Sequence, residues 1–246
     1  MVSTETQDER ELVIVSLYPR DMNIYGDRGN VLALARRARA HGFAPRVVEV
    51  NPGDPMPETV DIVLGGGGQD SGQGRVAIDL AARADELRRL ADDGVPMLMI
   101  CGLFQLFGHR FVTIGGDELT GIGVLDVETR GGEERMIGNI LLDSSEFGEI
   151  VGYENHSGVT VLGPGSEPLG RVLQGAGNNP TDGVEGARTG NVIGSYLHGS
   201  LLPKNPRLSD FLIGEAARRK FGEFVPVAGE SETVARARES AKRRPR

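Results

Sequence analysis

The sequence has almost no cysteine, no long apolar run and no excess of positive charge. Its single cysteine, Cys101, excludes any disulfide within the 246-residue chain. We recognise no signal peptide and no apolar run long enough to span a membrane, so we expect a cytoplasmic protein in a reducing compartment. The net charge of −8 argues against nucleic acid as the main partner.

The composition is that of a globular protein. Apolar residues make up 39% and charged residues 25% of the chain, which is enough for one sizeable core. We predict one compact domain over residues 12–225, a disordered N-terminus over 1–11 and a disordered basic tail over 226–246. Because residues 234–246 hold six Arg or Lys against one Glu, the tail could alternatively bind an anionic surface or a partner subunit.

Strand-like and helix-like patterns alternate through the first half of the chain. The strand candidates are Val13–Leu17, Arg46–Val50, Val60–Leu64 and Val95–Ile100, and the helix candidates are Val31–Ala40 and Val76–Asp93. This alternation predicts an α/β fold, with a mostly parallel central sheet and flanking helices. Ligands of such folds bind beyond the carboxyl ends of the strands.

Short strand-like runs separated by turn residues follow from about residue 115. They are Gly123–Thr129, Met136–Leu142, Glu149–Glu154, Val159–Leu162, Arg171–Gln174 and Val192–His198. We predict from them an antiparallel β extension attached to the same sheet. A last amphipathic helix, Leu208–Phe221, closes the domain.

Cys101 lies where a buried strand changes into a helix-like pattern. A thiol on such a tight turn is exposed at the sheet edge, and the dipole of the next helix favours the thiolate. A lone cysteine is also commonly a small buried hydrophobe. The pattern therefore offers Cys101 as a candidate nucleophile but does not establish it.

A nucleophilic thiol needs a base, and the chain has four histidines. His41 looks like a helix end, and His109 follows the helix of the cysteine by two turns. His156 lies in a predicted polar turn and could line a pocket. Only His198 follows a short strand, Val192–Ile193, in the position expected of a partner for Cys101.

The glycine run 65–68 follows the third predicted strand. It lacks the lysine and hydroxyl of a phosphate-binding loop. Backbone N–H groups of Gly67 and of Gly102 could instead form an oxyanion hole beside the cysteine. A glycine run by itself is often only a loop.

Four motifs together resemble the triad-type (class I) glutamine amidotransferases, in the branch shared with cobyric acid synthase. They are Ile100-Cys101-Gly102 with Gln105, the glycines before Gln69-Asp70, Gly152-Tyr153-Glu154-Asn155-His156, and Tyr196-Leu197-His198-Gly199. The segments Leu17–Asn30 and Leu202–Pro206 narrow the resemblance to glutaminase subunits of lipid II isoglutaminyl synthases. The resemblance spans residues 12–225 and implies a flavodoxin-like fold.

The resemblance also implies the reaction and its residues. Cys101 would attack the side-chain amide of L-glutamine, His198 would carry the proton, and a thioester would form. Arg135 would hold the substrate carboxylate, with Gln105, Asn155 and His156 lining the pocket. No metal or cofactor is expected in this chain, because ATP and Mg²⁺ would belong to a MurT-like Mur ligase homologue that uses the ammonia to amidate D-glutamate in the lipid II stem peptide.

Two positions depart from the pattern of the family. The wider superfamily usually has Gly two places after the cysteine, and this chain has Leu103 there. Most triad amidotransferases place Glu two residues after the histidine, and this chain has Ser200 there. We therefore expect a Cys–His dyad in the chain itself, with the missing carboxylate supplied by the partner. A cobyric-acid type of subunit, a γ-glutamyl hydrolase or cysteine peptidase, and a non-catalytic subunit remain alternatives.

Overall fold

The computed structural model describes residues 10–68, 70–198, 201–227 and 229–243, without the side chains of residues 70–73. The strands are β1 (Glu11–Leu17), β2 (Ala44–Val50), β3 (Ile62–Gly65), β4 (Met97–Ile100), β5 (Arg110–Val112), β6 (Glu118–Thr120), β7 (Val127–Ser144), β8 (Gly148–Leu162), β9 (Gly170–Gln174), β10 (Val184–Glu185), β11 (Ala187–Thr189), β12 (Val192–Ser195) and β13 (Leu197–His198). The helices are α1 (Arg28–Ala40), α2 (Asp70–Ala82), α3 (Ala84–Asp92), α4 (Gly102–Phe107), α5 (Leu201–Lys204), α6 (Pro206–Phe221) and α7 (Glu232–Lys242), and a 3-10 turn spans Ile24–Gly26. No helix in the described ranges has the length and apolarity needed to cross a membrane.

A six-stranded sheet in the order β11-β12-β4-β3-β1-β2 forms the first half of the core. All its pairings are parallel except that of β11 with β12. The predicted α/β fold with a mostly parallel sheet is therefore confirmed. Because β4 lies beside β12, with Ile100 opposite Ser195, the chain segments that follow these two strands meet at the carboxyl edge.

Most of the predicted antiparallel extension is a separate, seven-stranded sheet, so the expectation that it is attached to the first sheet is wrong for these strands. The predicted run Val192–His198 is divided, since β12 belongs to the first sheet and β13 to the second. Four of the other runs merge into two long strands, β7 and β8, which pair along most of their length with a bulge between Gly131 and Met136. Glycines inside these strands resemble breaks in the sequence. At Gly158, between two of the predicted runs, the reason is packing, since a Cβ there would lie 2.5 Å from Gln105 Nε2 and from the Tyr196 hydroxyl oxygen.

Two helix predictions also need correction. The helix predicted over Val76–Asp93 is two helices, because the chain kinks at Arg83 (φ −104°, ψ 12°), whose side chain pairs with Asp79. The basic tail predicted to be disordered contains α7. Ser231 caps this helix by accepting the Val234 N–H. Of the predicted disordered N-terminus, residues 1–9 lie outside the described part of the chain, and β1 begins at Glu11.

Candidate active site

Cys101 occupies a strained turn between β4 and α4. Its backbone has φ 50° and ψ −102°, a conformation that costs on the order of 1–3 kcal/mol for a residue with a side chain. The Cys101 N–H donates to the Ser195 carbonyl at 2.8 Å, and 7% of the residue is exposed. The structure therefore confirms the predicted strand-to-helix elbow.

His198 approaches Cys101 from the second sheet, because it is the last residue of β13 and pairs with Tyr153 of β8. Gly67 marks how closely the two residues approach. A Cβ at Gly67 would lie 2.6 Å from His198 Cε1 and 3.4 Å from Cys101 Sγ. Only glycine leaves this space open between the thiol and the imidazole.

Asp27 supplies the carboxylate that the sequence analysis did not find. Its two oxygens each lie 3.3 Å from His198 Nδ1, and only 5% of the residue is exposed. The expectation that this chain offers only a Cys–His dyad is therefore wrong. Ser200 itself lies outside the described residues. The motif that carries Asp27 is visible in the sequence, but the separation of 171 positions between Asp27 and His198 concealed their contact.

The predicted oxyanion role of Gly67 is contradicted in this conformation. Its N–H donates to Asp27 Oδ2 at 2.8 Å, because the buried carboxylate takes the nearest donor. Gly102 follows the nucleophile as the first residue of α4. An N–H at that position has no acceptor within the helix, so Gly102 stays the predicted oxyanion donor.

The charges around His198 favour its imidazolium form. Burial alone would lower the pKa of the His198 imidazole, but the hydrogen bonds and charges of Asp27 and Cys101 outweigh it and raise the pKa to about 10. Nε2 makes no hydrogen bond of regular geometry within the described part of the chain. The thiol and the imidazole therefore face each other across the space at Gly67 without a regular hydrogen bond to Nε2.

A cavity of about 490 Å³ opens in front of Cys101. The structure brings all the residues predicted to bind substrate to its wall: Gln105, Arg135, Asn155 and His156. The predicted turn around His156 is in fact part of β8. Cys101 and a set of polar side chains therefore share one cavity of the size expected for a small ligand.

Arg135 is held in place by uncharged oxygens. Its Nε donates to Asn155 Oδ1 at 2.8 Å and its Nη2 to the Tyr25 hydroxyl at 3.0 Å. Among the described residues no carboxylate lies within ion-pair distance of this guanidinium. The remaining N–H groups and the positive charge can therefore serve an anionic ligand.

Gln105 and His156, two further residues of the cavity wall, are held in place by contacts with Tyr196. Gln105 Nε2 donates to the Tyr196 hydroxyl at 3.1 Å. The His156 ring stacks on the Tyr196 ring with centroids 3.6 Å apart, and its Nδ1 lies 3.0 Å from the Gly158 carbonyl. Burial, with a further effect of the His198 charge, lowers the pKa of His156 to about 3, so His156 is neutral.

Tyr25 is a cavity residue that the sequence analysis did not single out. Its backbone has φ 56°, and its ring packs edge-on against His198 with centroids 5.0 Å apart. It remains 45% exposed. A non-glycine residue with positive φ beside a catalytic group is typical of functional sites, but that signal exists only in the structure.

The described residues include no group of three or more His, Cys, Asp or Glu side chains placed to bind a metal. The cavity itself presents the thiol of Cys101 and the guanidinium of Arg135, and the His198 imidazole with its Asp27 carboxylate lies beside the thiol. This combination suits covalent catalysis on an anionic ligand.

Solved structures with a similar fold include a glutamine amidotransferase (TM-score 0.58, 19% identity, 82% of this chain and 98% of that chain). Another is PurLQS from Thermotoga maritima (TM-score 0.58, 18% identity, 84% of this chain and 97% of that chain). At these identities the similarity shows the fold.

Sequence relatives are closer. The lipid II isoglutaminyl synthase (glutamine-hydrolyzing) subunit GatD of Staphylococcus aureus (strain N315) is 38% identical over 230 residues, 93% of this chain and 94% of that protein. The subunit of the same name from Streptococcus pneumoniae (strain ATCC BAA-255 / R6) is 38% identical over 221 residues, 88% of this chain and 85% of that protein. Cobyric acid synthase of Pelotomaculum thermopropionicum (strain DSM 13744 / JCM 10971 / SI) is 32% identical over 233 residues, 88% of this chain but 42% of that protein.

The family match covers most of the fold. Residues 13–206 match the CobB/CobQ-like glutamine amidotransferase domain, a range that begins in β1 and contains Asp27, Cys101 and His198. With its elbow cysteine, its histidine and its fold, the chain belongs to the CobB/CobQ-like glutamine amidotransferase family.

Proposed function

We propose that this chain is the glutaminase subunit of a lipid II isoglutaminyl synthase. It hydrolyses L-glutamine to glutamate and ammonia, and a second subunit uses the ammonia. The observation that carries this proposal is the 38% identity to the Staphylococcus aureus subunit over 94% of that protein. The cavity in front of Cys101 supports the same reaction, because its polar groups match the parts of glutamine.

Glutamine enters the cavity with its α-carboxylate on Arg135, whose guanidinium is already oriented by Asn155 and Tyr25. The amide carbon then faces Cys101. His156 is neutral because burial lowers its pKa to about 3, so it adds no positive charge next to the substrate ammonium. Binding at Arg135 thus sets the distance between thiol and amide.

The Cys101 thiolate attacks the amide carbon and forms a tetrahedral oxyanion, which the Gly102 N–H stabilises. The His198 imidazolium gives its proton to the leaving nitrogen. Ammonia departs, and a γ-glutamyl thioester remains on Cys101. Asp27 keeps the imidazole oriented and stabilises its charged form throughout.

Water completes the cycle. His198, neutral after its proton has left, takes a proton from water while the hydroxyl adds to the thioester. The thiolate leaves, glutamate is released, and the Cys101–His198 pair is restored. Overall, glutamine and water become glutamate and ammonia, without a cofactor in this chain.

The ammonia acceptor lies on a second protein. We propose a MurT-like Mur ligase homologue, which would use ATP and Mg²⁺ to activate the α-carboxyl of D-glutamate in the lipid II stem peptide. The present chain has no Gly-x4-Gly-Lys-Ser/Thr loop for ATP phosphates. Because the acceptor is linked to a lipid, the complex would act at the inner face of the membrane.

Replacement of the nucleophile tests both parts of the proposal. Cys101→Ala should abolish glutamine-dependent amidation by the complex, because no thioester can form. An ammonium salt should restore amidation, since it bypasses this subunit. The readouts are glutamate release and mass-spectrometric detection of amidated lipid II.

Three results would contradict the proposal in different ways. Glutamine-dependent amidation surviving in Cys101→Ala would exclude the thioester mechanism. Glutamate release without amidation of lipid II by any Mur-ligase-like partner would point to another acceptor. The wild type failing to hydrolyse glutamine, alone or in complex, would leave a non-catalytic subunit.

A further inference from the structure

The chain moves from one sheet to the other just before it reaches His198. β12 ends at Ser195 in the parallel sheet, and β13 begins at Leu197 in the second sheet, paired with β8. Tyr196 lies between them. A crossing of this kind removes backbone N–H groups from regular strand pairing, and buried N–H groups need other acceptors.

Glu185 and Ser195 provide those acceptors. The Tyr196 N–H donates to Glu185 Oε1 at 2.6 Å, and the Leu197 N–H donates to Ser195 Oγ at 3.0 Å. Ser195 Oγ in turn lies 3.2 Å from both carboxyl oxygens of Glu185. The crossing is therefore held by the side chains of Ser195 and of Glu185, which lies on β10 of the second sheet.

Glu185 has no exposed surface. Burial raises the pKa of the Glu185 carboxyl to about 8, and the charge of Glu154 adds to this effect, while the contacts with Tyr196 and Ser195 oppose it. At neutral pH the carboxyl is mostly protonated, so it presents one acceptor and one donor. Because burying a carboxyl group completely is unfavourable, its presence at 0% exposure indicates that its hydrogen bonds have a specific structural role.

The same crossing also holds the nucleophile. The Ser195 carbonyl accepts the Cys101 N–H at 2.8 Å, so Ser195 contacts Glu185 through its hydroxyl and the elbow through its backbone. His198 follows three residues later. Both reacting groups are thus linked to Glu185 through one short, fully buried segment.

We propose that Glu185 is a positioning residue that sets the distance and orientation between Cys101 and His198. It contacts neither substrate nor the reacting atoms. It acts by fixing the strand crossing at Tyr196, on which the position of His198 depends. Its effect on turnover rests on the proposed glutaminase function, but its effect on the thiol–imidazole pair does not.

Alkylation of Cys101 by iodoacetamide tests the pair directly, because this is the only thiol in the full-length chain. The pH dependence of the alkylation rate in His198→Ala defines the behaviour of the thiol without its partner. We expect the pH dependence of the alkylation rate in Glu185→Ala to lie between that of the wild type and that of His198→Ala. Glu185→Gln should follow the wild type, because a carboxamide keeps an acceptor oxygen for the Tyr196 N–H and replaces the O–H donor by N–H donors of similar reach.

Asp61→Ala is the matched control. Asp61 is a buried acid that accepts the Val13 N–H at 2.7 Å. It directly precedes β3, at the amino edge of the parallel sheet, whereas Cys101 lies at the carboxyl edge. Its loss should lower stability without changing the alkylation curve. In glutamine hydrolysis, Glu185→Ala should lower kcat by on the order of 10- to 100-fold, with KM within about twofold, since the Arg135 contacts remain.

The proposal is overturned if folded Glu185→Ala alkylates with the wild-type curve. If Glu185→Ala does not fold, Ser195→Ala carries the same expectation with a smaller shift, because it removes the acceptor of the Leu197 N–H. A wild-type curve for folded Ser195→Ala would then overturn the proposal. Shifted alkylation curves in a wild type that fails to hydrolyse glutamine would refute the proposed function and leave the positioning role supported.

Discussion

At the scale of single residues, Asp27 has two hydrogen-bonding neighbours with different consequences. Its carboxylate orients His198 through Nδ1, and it also accepts the Gly67 N–H. The first contact stabilises the imidazolium, whereas the second removes Gly67 from the oxyanion donors. The Asp27 carboxylate thus orients the base, His198, and also limits which backbone N–H groups remain free to bind the substrate.

Asp27→Asn should lower kcat for glutamine hydrolysis by up to about 10⁴, the cost of removing the carboxylate from comparable triads. KM should change little, because Arg135 is untouched. Asp21→Asn, in the same segment but paired with the exposed Arg75, is the control and should keep wild-type kinetics. A kcat within tenfold of the wild type in the complex would mean that a partner carboxylate serves His198 instead.

Arg135→Ala should weaken glutamine binding. Loss of a bidentate, charge-assisted contact costs on the order of 2–4 kcal/mol, which should appear mainly as a higher KM. Steady-state kinetics with glutamine will measure it. Unchanged KM and kcat would show that Arg135 is an ordinary surface arginine.

Tyr25→Phe separates the hydroxyl of Tyr25 from its ring. The variant loses the acceptor for Arg135 Nη2 but keeps the ring against His198. A hydrogen bond to a charged donor is worth about 1.5–3 kcal/mol, so KM for glutamine should rise by on the order of tenfold with kcat preserved. A fall in kcat at constant KM would instead assign the hydroxyl a role in the chemical steps.

At the scale of elements, α7 carries polar contacts but no buried side chain. Arg238 donates to the Glu149 carbonyl at 2.8 Å, and Lys242 pairs with the Glu149 side chain at 2.5 Å. Exposed ion pairs contribute about 0–1 kcal/mol each. The helix is therefore attached to the domain without being part of its core.

Deleting residues 231–246 should lower the Tm by only a few degrees and leave glutamine hydrolysis by the chain unchanged. Thermal unfolding followed by circular dichroism will measure the first effect. A loss of amidation in the complex, with hydrolysis intact, would assign the helix to the partner contact. Failure of the truncated chain to fold would show that α7 contributes far more than its exposed contacts indicate.

Local patterns predicted the parallel sheet well because its buried strands are continuous apolar runs such as Met97–Ile100, which can be recognised from the sequence alone. The second sheet was harder. Gly158 lies in the gap between two predicted runs of β8, and Tyr196, far along the chain, packs against it. Contacts of this kind depend on the tertiary structure and leave no periodic signal.

The active site divides in the same way. Cys101 and His198 were predictable because each follows a strand at the carboxyl edge of a sheet. Asp27 was not, because nothing near it in sequence distinguishes a carboxylate that faces His198 from one that faces solvent. Gly67 was assigned the wrong partner for the same reason, since its N–H is claimed by Asp27.

At the scale of the whole molecule, Glu185 should make stability fall as pH rises. Its pKa is about 8 in the folded protein, against 4.5 as its ordinary value. Between these two pH values the unfolded chain has lost the proton and the folded chain has kept it. The free energy of unfolding therefore decreases toward pH 8, by at most about 1.4 kcal/mol per pH unit.

Glu185→Gln removes this titration, so its stability relative to the wild type should increase from pH 5 to pH 8. Urea unfolding at several pH values will measure the difference. The titration of His198 affects both proteins and cancels in the comparison. A difference that is independent of pH would show that Glu185 titrates near its ordinary value in the folded protein.

The two reacting groups belong to different sheets, since Cys101 follows β4 of the parallel sheet and His198 ends β13 of the second sheet. The gap between sulfur and nitrogen therefore depends on the angle at which the two sheets meet. A protein bound across both sheets can change this gap without touching glutamine. We expect such a contact to couple hydrolysis to assembly by mechanical means, so that a comparison of glutamate release by the chain alone and by the complex tests the coupling.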